Sequence, residues 1–313
     1  MRCYSRREIP ALAEMGAEII VGKFDDGSAL ATACHGVATV FHVAGRVGVW
    51  GPAAPFFRVN EGGTRAVIAA CRRADVPRLV YTSSPSVVYN GGHLSGVDES
   101  APLCMRAPCA YPTSKAAAER AIAAANSRLL RTISLRPHLV WGPGDRNVVT
   151  RALALAKSGR LRIVGSGANR VDLTHIENVV DAHLLAEATL AASDSPAAGR
   201  AYFITNGEPV VLWEFINKLC EAAGIPPVRK RISLPAAMAV GAALEFVWTL
   251  LRRKEDPPMT RFVAKELATD HFFSIDAARR DLGYVPRVSM AEGMRELAPM
   301  LRADFGGQAL PSL

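Results

Sequence analysis

Arg78-Leu79-Val80-Tyr81-Thr82-Ser83-Ser84 runs through apolar residues without a break and ends in three hydroxyls. A strand with one wet face alternates apolar and polar side chains. A continuous run instead points to a strand covered on both faces, as in a parallel sheet. Working outward, Val40-Phe41-His42-Val43 repeats the pattern, and strands are expected at 18–21, 37–43, 78–83, 132–136 and 201–205. Helical patterns at 28–34, 63–74 and 112–126 separate them, the last with Pro112 in its first turn and Asn126 as its stop. Alternating strands and helices predict an α/β fold with a doubly wound parallel sheet.

The 313 residues are 50% apolar and 21% charged, which excludes a disordered or fibrous chain. Thirty-seven Lys plus Arg against 29 Asp plus Glu give a net charge of +8. The densest cationic groups, Arg229-Lys230-Arg231 and Arg252-Arg253-Lys254, lack interleaved aromatics, so no nucleic-acid partner is expected. Six cysteines (3, 34, 71, 104, 109 and 220) form no C-x-x-C pair, and Cys104 and Cys109 have no matching histidine or cysteine nearby. They read as reduced thiols of a cytoplasmic protein, without a disulfide frame or a metal site. The first seven residues carry charge but no apolar core of a secretory signal. Residues 234–251 are mostly Ala, Val, Leu, Met and Phe, interrupted by Pro235 and Glu245. That falls short of the roughly 20 apolar residues a membrane span needs. A buried helix, or one lying at a membrane interface, is expected, with peripheral membrane contact through 234–251.

Beyond residue 206 the prolines 209, 226, 227, 235, 257, 258 and 286 divide short helical stretches, and clear β runs disappear. The expected organisation is a nucleotide-binding domain over 1–206, a smaller and mostly helical substrate lobe over 207–302, and a loose tail over 303–313. Residues 146–170 are expected to contribute to the lobe. The chain opens directly on Arg2-Cys3-Tyr4-Ser5, which reads as the second strand of such a sheet, with no glycine before Gly16. The first strand and helix, with the glycine turn that cradles a pyrophosphate, are missing from this reading. Met1 is accordingly expected to be an internal methionine, preceded in frame by about thirty residues of strand, glycine turn and helix. A decayed product is the alternative. As it stands, the chain is expected to bind NADPH poorly.

Tyr111-Pro112-Thr113-Ser114-Lys115 places a phenol and an ammonium at i and i+4 on one helical face. A cation beside a phenol favours the phenolate, which lets Tyr111 exchange a proton with a carbonyl or hydroxyl near neutral pH. Upstream, Thr82, Ser83 and Ser84 stand at the carboxyl end of a parallel strand, the side of such sheets where ligands bind. Ser84 is placed to donate to a substrate carbonyl beside Tyr111.

These motifs resemble the extended short-chain dehydrogenases/reductases. The similarity is greatest to the branch of 3β-hydroxysteroid dehydrogenases, sterol-4α-carboxylate 3-dehydrogenases and bacterial 2-alkyl-3-oxoalkanoate reductases. It rests on His42-Val43-Ala44-Gly45, on Asn60-Glu61-Gly62-Gly63-Thr64 opening a helix, and on Tyr81 to Val87. Tyr111 to Lys115, Leu135-Arg136-Pro137-His138-Leu139-Val140-Trp141-Gly142-Pro143-Gly144-Asp145 and Val171 to Val179 continue it. Pro257 to Phe262 and Asp281 to Pro286 are similar to the oxoalkanoate reductase branch. The resemblance implies a Rossmann-like fold and a Ser-Tyr-Lys mechanism. Tyr111 would be the general acid/base, Lys115 would lower its pKa and hold the nicotinamide ribose, and Ser84 would orient the substrate oxygen, with Ser83 second. Ala44 and Gly45 would line the cofactor cleft, Asn60 would tie loops beneath it or act as a helix cap, and Pro137, His138 and Val140 would border the nicotinamide. His138 is given no acid/base role.

Ser5 stands where NAD-binding strands end in an acid, and Arg6-Arg7 follow, so NADP(H) is favoured over NAD(H). Lys23 replaces the aspartate that relatives present to adenine, leaving Phe24 to stack there. Gly165-Ser166-Gly167-Ala168-Asn169-Arg170 imitates a G-x-G-x-x-G loop but lacks the third glycine and the following helix. It reads as a turn, with Arg170 a candidate for a substrate carboxylate. The expected function is an oxidoreductase interconverting 3-oxo and 3-hydroxy groups on a hydrophobic small molecule, a 2-alkyl-3-oxo acid or a 3β-hydroxysteroid, with a homodimer as one assembly. A sugar-nucleotide epimerase or dehydratase of the same fold, or a non-catalytic binding module, are the alternatives. The chain carries no G-x-S-x-G elbow, P-loop or H-E-x-x-H, so hydrolase, nucleotidase and zincin readings drop out.

Overall fold

The computed structural model describes residues 1–145 and 148–306. Its strands are numbered β1 to β14 in chain order. The central sheet is fully parallel, in the order β11 (Ala201–Ile204), β6 (Arg131–Pro137), β4 (Arg78–Thr82), β3 (Thr39–His42). Alternation along β4 explains its unbroken apolar run. Leu79 and Tyr81 pack with Ala118 and Ile122 of the helix Ala110–Ala125, while Val80 joins Ala182 and Ala186 of the helix Ile176–Ala191 on the opposite face. All three β4 side chains are buried. Each contributes roughly 1.5–3 kcal/mol by leaving water.

β1 (Arg2–Ser5) and β2 (Glu18–Val21) form a separate parallel pair, and among the described residues no strand joins them to β3. The helix Gly27–Cys34 holds this pair in place, since Leu30 and Cys34 pack against Val67, Ile68 and Cys71 of the helix Gly63–Arg73. Arg2 adds a polar tie. Its guanidinium meets Glu18 at 2.8 Å and donates to the carbonyls of Ala33 and His35 at 3.0 and 2.9 Å, where that helix ends.

The remaining strands are short. β5 (Leu94–Val97), β9 (Arg170–Val171), β12 (Val210–Val211) and β14 (His271–Phe273) make a mixed sheet, while β7 (Val140–Trp141) pairs with β10 (Thr174–His175) and β8 (Ile163–Val164) with β13 (Arg231–Ile232). The expected absence of β structure beyond residue 206 is thus corrected. Three strands of two or three residues lie there, too short for a period-2 pattern to register. Around them the helices Val148–Lys157, Leu212–Ala222 and Met290–Phe305 enclose Leu153, Phe215, Leu219, Leu297 and Leu301 with Trp141 and Trp213. The last helix opens with a capping box, Ser289 and Glu292 bonding each other's backbone N–H. It continues through Phe305, so residues 303–305 are helical rather than part of a tail. Residues 307–313 of the expected tail lie outside the described residues.

Two further expectations change. The Tyr111 helix starts at Ala110, because Cys109 is extended and serves as its N-cap. Asn60 to Thr64 do not open a helix. The helix starts at Ala53 and passes through a π-helical turn, Arg58–Gly62, before continuing to Arg73, so Asn60 caps nothing. Such turns widen a helix by one residue and recur at functional sites.

Candidate active site

Lys115 is the centre of the site. It is buried one turn beyond Tyr111, and its Nζ donates to the Thr82 carbonyl at 2.7 Å and lies 4.3 Å over the Tyr81 ring. Burial pushes its pKa down to about 7, against the opposing attraction of Glu119. Its charge and burial together hold His42 down to about 3, burial being the larger cause, so His42 is neutral and bonded to Thr64 Oγ1 at 2.9 Å.

Tyr111 and Ser84 come together. Burial raises the Tyr111 pKa, and the Ser84 side chain, close enough to the phenol to favour its charged form, lowers it by less. The Tyr111 pKa therefore lies above the ordinary value, where a loosened phenol was expected. Ser84 also caps the short 3₁₀ turn Pro85–Val88 through the Ser86 N–H. Ser83 is committed elsewhere. It is buried and donates to Glu119 Oε2, so it does not serve as the second candidate for orienting substrate. Thr82 turns its hydroxyl to His183 Nε2 at 2.7 Å and offers only its carbonyl to the site.

Asn60 does tie loops together. Its side chain bonds the Arg46 backbone twice, at 2.7 and 3.0 Å, and donates to Ser114 Oγ at 2.9 Å, joining the loop after β3 to the Tyr111 helix. A Cβ at Gly45 would sit 3.3 Å from Asn60 Oδ1 and 3.9 Å from Lys115 Nζ, which places the Gly45 backbone beside Lys115. Gly45 and Ala44 line a cavity of about 520 Å³ with Ser5, Arg6, Phe24 and Val59. The Phe24 ring meets His42 edge to face at 5.8 Å, and a Cβ at Gly63 would strike it. Lys23 is exposed and does not line the cavity, while its carbonyl accepts from Tyr4 Oη at 2.7 Å.

Pro137, His138 and Val140 sit where β6 gives way to β7. His138 is turned inward, bonded through Nε2 to His271 Nδ1 at 2.7 Å and packed edge-on against Phe273. Burial, with His271 beside it, holds its pKa well below the ordinary value. Between them Leu139 takes φ 38°, a left-handed conformation that is rare outside glycine. Thr174 holds this bend, its hydroxyl donating to His138 O at 2.6 Å. Arg170 is corrected to a different place. It donates to Pro209 O at 3.3 Å, lies over the Phe272 ring, and lines a separate cavity of about 700 Å³ with Glu214, Lys218 and Met294.

Several contributors escaped the sequence reading. Glu119 accepts from Ser83 and from Arg136, whose Nη2 approaches to 2.6 Å, and both partners of this ion pair are almost wholly buried. A signal existed: Tyr111, Lys115 and Glu119 repeat every four residues along one helix. Ser114, His42 and Tyr81 carry no comparable spacing.

The 3-beta hydroxysteroid dehydrogenase/isomerase family model matches residues 8–236. The chain is 45% identical over 297 residues to a 2-alkyl-3-oxoalkanoate reductase of Stenotrophomonas maltophilia, covering 94% of this chain and 89% of that protein. It is 39% identical over 242 residues to a decarboxylating sterol-4-alpha-carboxylate 3-dehydrogenase of Schizosaccharomyces pombe, covering 77% and 71%. Among solved structures, MoeE5 in complex with UDP-glucose and NAD superposes with a TM-score of 0.73 at 25% identity, covering 97% and 90%. The parallel sheet flanked by helices and the extent of these matches lead to one conclusion: the chain belongs to the 3-beta hydroxysteroid dehydrogenase/isomerase family, with the Rossmann-type fold of an NAD(P)-dependent oxidoreductase.

Proposed function

We propose that the chain reduces a 3-oxo group, or oxidises the corresponding 3-hydroxy group, on a lipid-like substrate through Ser84, Tyr111 and Lys115. The observation that carries this reading is buried Lys115, one helical turn from Tyr111 and bonded to the Thr82 carbonyl at the strand end that leads into Ser84. A substrate oxygen held by both hydroxyls has two donors converging on the atom where negative charge develops. In reduction, the phenol proton moves from Tyr111 Oη to that oxygen, which becomes the product hydroxyl. Ser84 holds the oxygen while the transfer occurs, and the Lys115 charge steadies the phenolate left behind until it recovers a proton from water. A bound nicotinamide dinucleotide would supply the hydride to the carbonyl carbon.

The residues present suit that cofactor at its two ribose ends. Lys115, Gly45 and Asn60 stand together at one end, and the cavity edged by Ser5 and Arg6 lies at the other. The cavity wall carries Arg6 and no carboxylate, which favours a 2′-phosphate and therefore NADP(H) over NAD(H). The relatives named for 2-alkyl-3-oxoalkanoates and sterol carboxylates support a hydrophobic 3-oxo or 3-hydroxy substrate. The test is oxidation of NADPH and NADH against a panel of 2-alkyl-3-oxo acids, with 3β-hydroxysteroids assayed in the reverse direction. Turnover of a 3-oxo acid that Tyr111→Phe lowers by about 10²–10⁴-fold with an unchanged melting temperature is the expected result. Equal turnover by Tyr111→Phe would overturn the reading.

A further inference from the structure

The helix Leu234–Leu250 presents an apolar face to solvent. On its inner side Ala237 and Gly241 are buried, and a Cβ at Gly241 would strike the backbone of Thr260 and Arg261. Glu245 completes this contact by accepting from Arg261 N and Nε at 2.8 and 2.7 Å. The outer face holds Val240, Ala243, Phe246, Val247 and Leu250, followed by Leu251, all exposed, with Phe246 at 69% and Leu250 at 70%. These positions follow a spacing of three and four, so they form one stripe, and no charged residue interrupts it. A solvent-facing helix normally reverses this pattern, and a contiguous exposed apolar patch marks an interaction surface.

Exposed cations bracket the stripe: Arg229, Lys230 and Arg231 before the helix, Arg252, Arg253 and Lys254 after it. This decides the occupant. Pairing with a second copy, parallel or antiparallel, would bring cationic triplets of both copies together, which costs free energy. An anionic lipid surface meets both features, accepting the apolar stripe below its headgroups and the cations at their level. The helix has 17 residues, and no helix among the described residues is long and apolar enough to cross a membrane. It would therefore lie along the surface.

We infer that the helix Leu234–Leu250, with Leu251 after it, docks the protein peripherally on an anionic bilayer. Docking also sets the catalytic cleft beside the lipid. Trp50 donates from Nε1 to Arg253 O at 3.3 Å, so the loop whose Arg46 and Val47 line the cavity is tied to the cationic end of the helix. A substrate with a long alkyl part would then reach the cleft from the bilayer.

The test is flotation of the full chain with vesicles of phosphatidylcholine, with and without phosphatidylglycerol, at low and high salt. Binding is expected only to the anionic vesicles and is expected to weaken as salt screens the cations. Arg252→Ala/Lys254→Ala should lower the partition coefficient about 30-fold, at roughly fivefold per lost cation. Phe246→Ser/Leu250→Ser should abolish binding, with melting temperature and turnover of a soluble substrate unchanged. Equal flotation of the wild type and both variants would overturn the proposal, as would absence of flotation. So would a dimer, seen by sedimentation, that Phe246→Ser/Leu250→Ser dissociates.

Discussion

Lys115 Nζ donates to the carbonyl oxygen of Thr82 at 2.7 Å. This bond clamps the Tyr111 helix to the end of β4, two residues before Ser84, and so fixes the spacing between the phenol and the hydroxyl that meets it. The ammonium consequently has a structural and an electrostatic task, and the two separate by measurement.

Lys115 is protonated in the unfolded chain up to its ordinary pKa of 10.5 but only up to about 7 when folded. Between those values the unfolded state binds the extra proton, so stability rises with pH across that window, and the full penalty is present below it. In the protein without cofactor, unfolding free energy should rise by up to about 1.4 kcal/mol per pH unit between pH 7 and 10 relative to Lys115→Met. Urea titrations of both proteins across that range check it. Parallel pH profiles would show that Lys115 is not buried as a charge.

Ser84 and Ser83 should separate cleanly. Ser84→Ala removes one donor from the substrate oxygen and should lower kcat/KM by about 10²–10³-fold with little change in melting temperature. Ser83→Ala withdraws a donor from buried Glu119 and should cost about 1–3 kcal/mol of stability. Its effect on kcat/KM should be the smaller of the two. Steady-state kinetics paired with thermal melts distinguish them, and the opposite pattern would exchange their roles.

The Glu119–Arg136 pair is buried at both ends, with side-chain exposures of 5% and 4%. Arg136→Leu leaves a carboxylate without its partner in the interior and should destabilise the fold by about 3–5 kcal/mol. Glu119→Leu/Arg136→Leu together should recover most of that loss. Chemical denaturation of the two single variants and the double variant closes the cycle.

Gly45 tests the cleft where its backbone passes Asn60 and Lys115. Gly45→Val should crowd Asn60 Oδ1, to which even a Cβ alone would approach within 3.3 Å, and project branches toward the ribose end of the site. NAD(P)H affinity should fall by about tenfold, near 1.4 kcal/mol. Titration of NAD(P)H fluorescence measures this directly. Unchanged affinity would place the cofactor elsewhere.

The continuous apolar runs determined by themselves that this is a parallel sheet with both faces covered. Leu79, Val80 and Tyr81 can all be buried only if helices lie on each side, and that follows from side-chain alternation alone. The i, i+4 spacing of Tyr111 and Lys115 likewise required only that the segment be helical. Tertiary structure decided what depends on distant partners. It directed Ser83 to Glu119 rather than to the substrate, turned His138 inward onto His271, and took Arg170 to another cavity. It also made burial the largest influence on Tyr111. Local spacing records which residues share a face, but not the solvent they lose or the partner 36 or 133 positions away that claims their hydrogen bond.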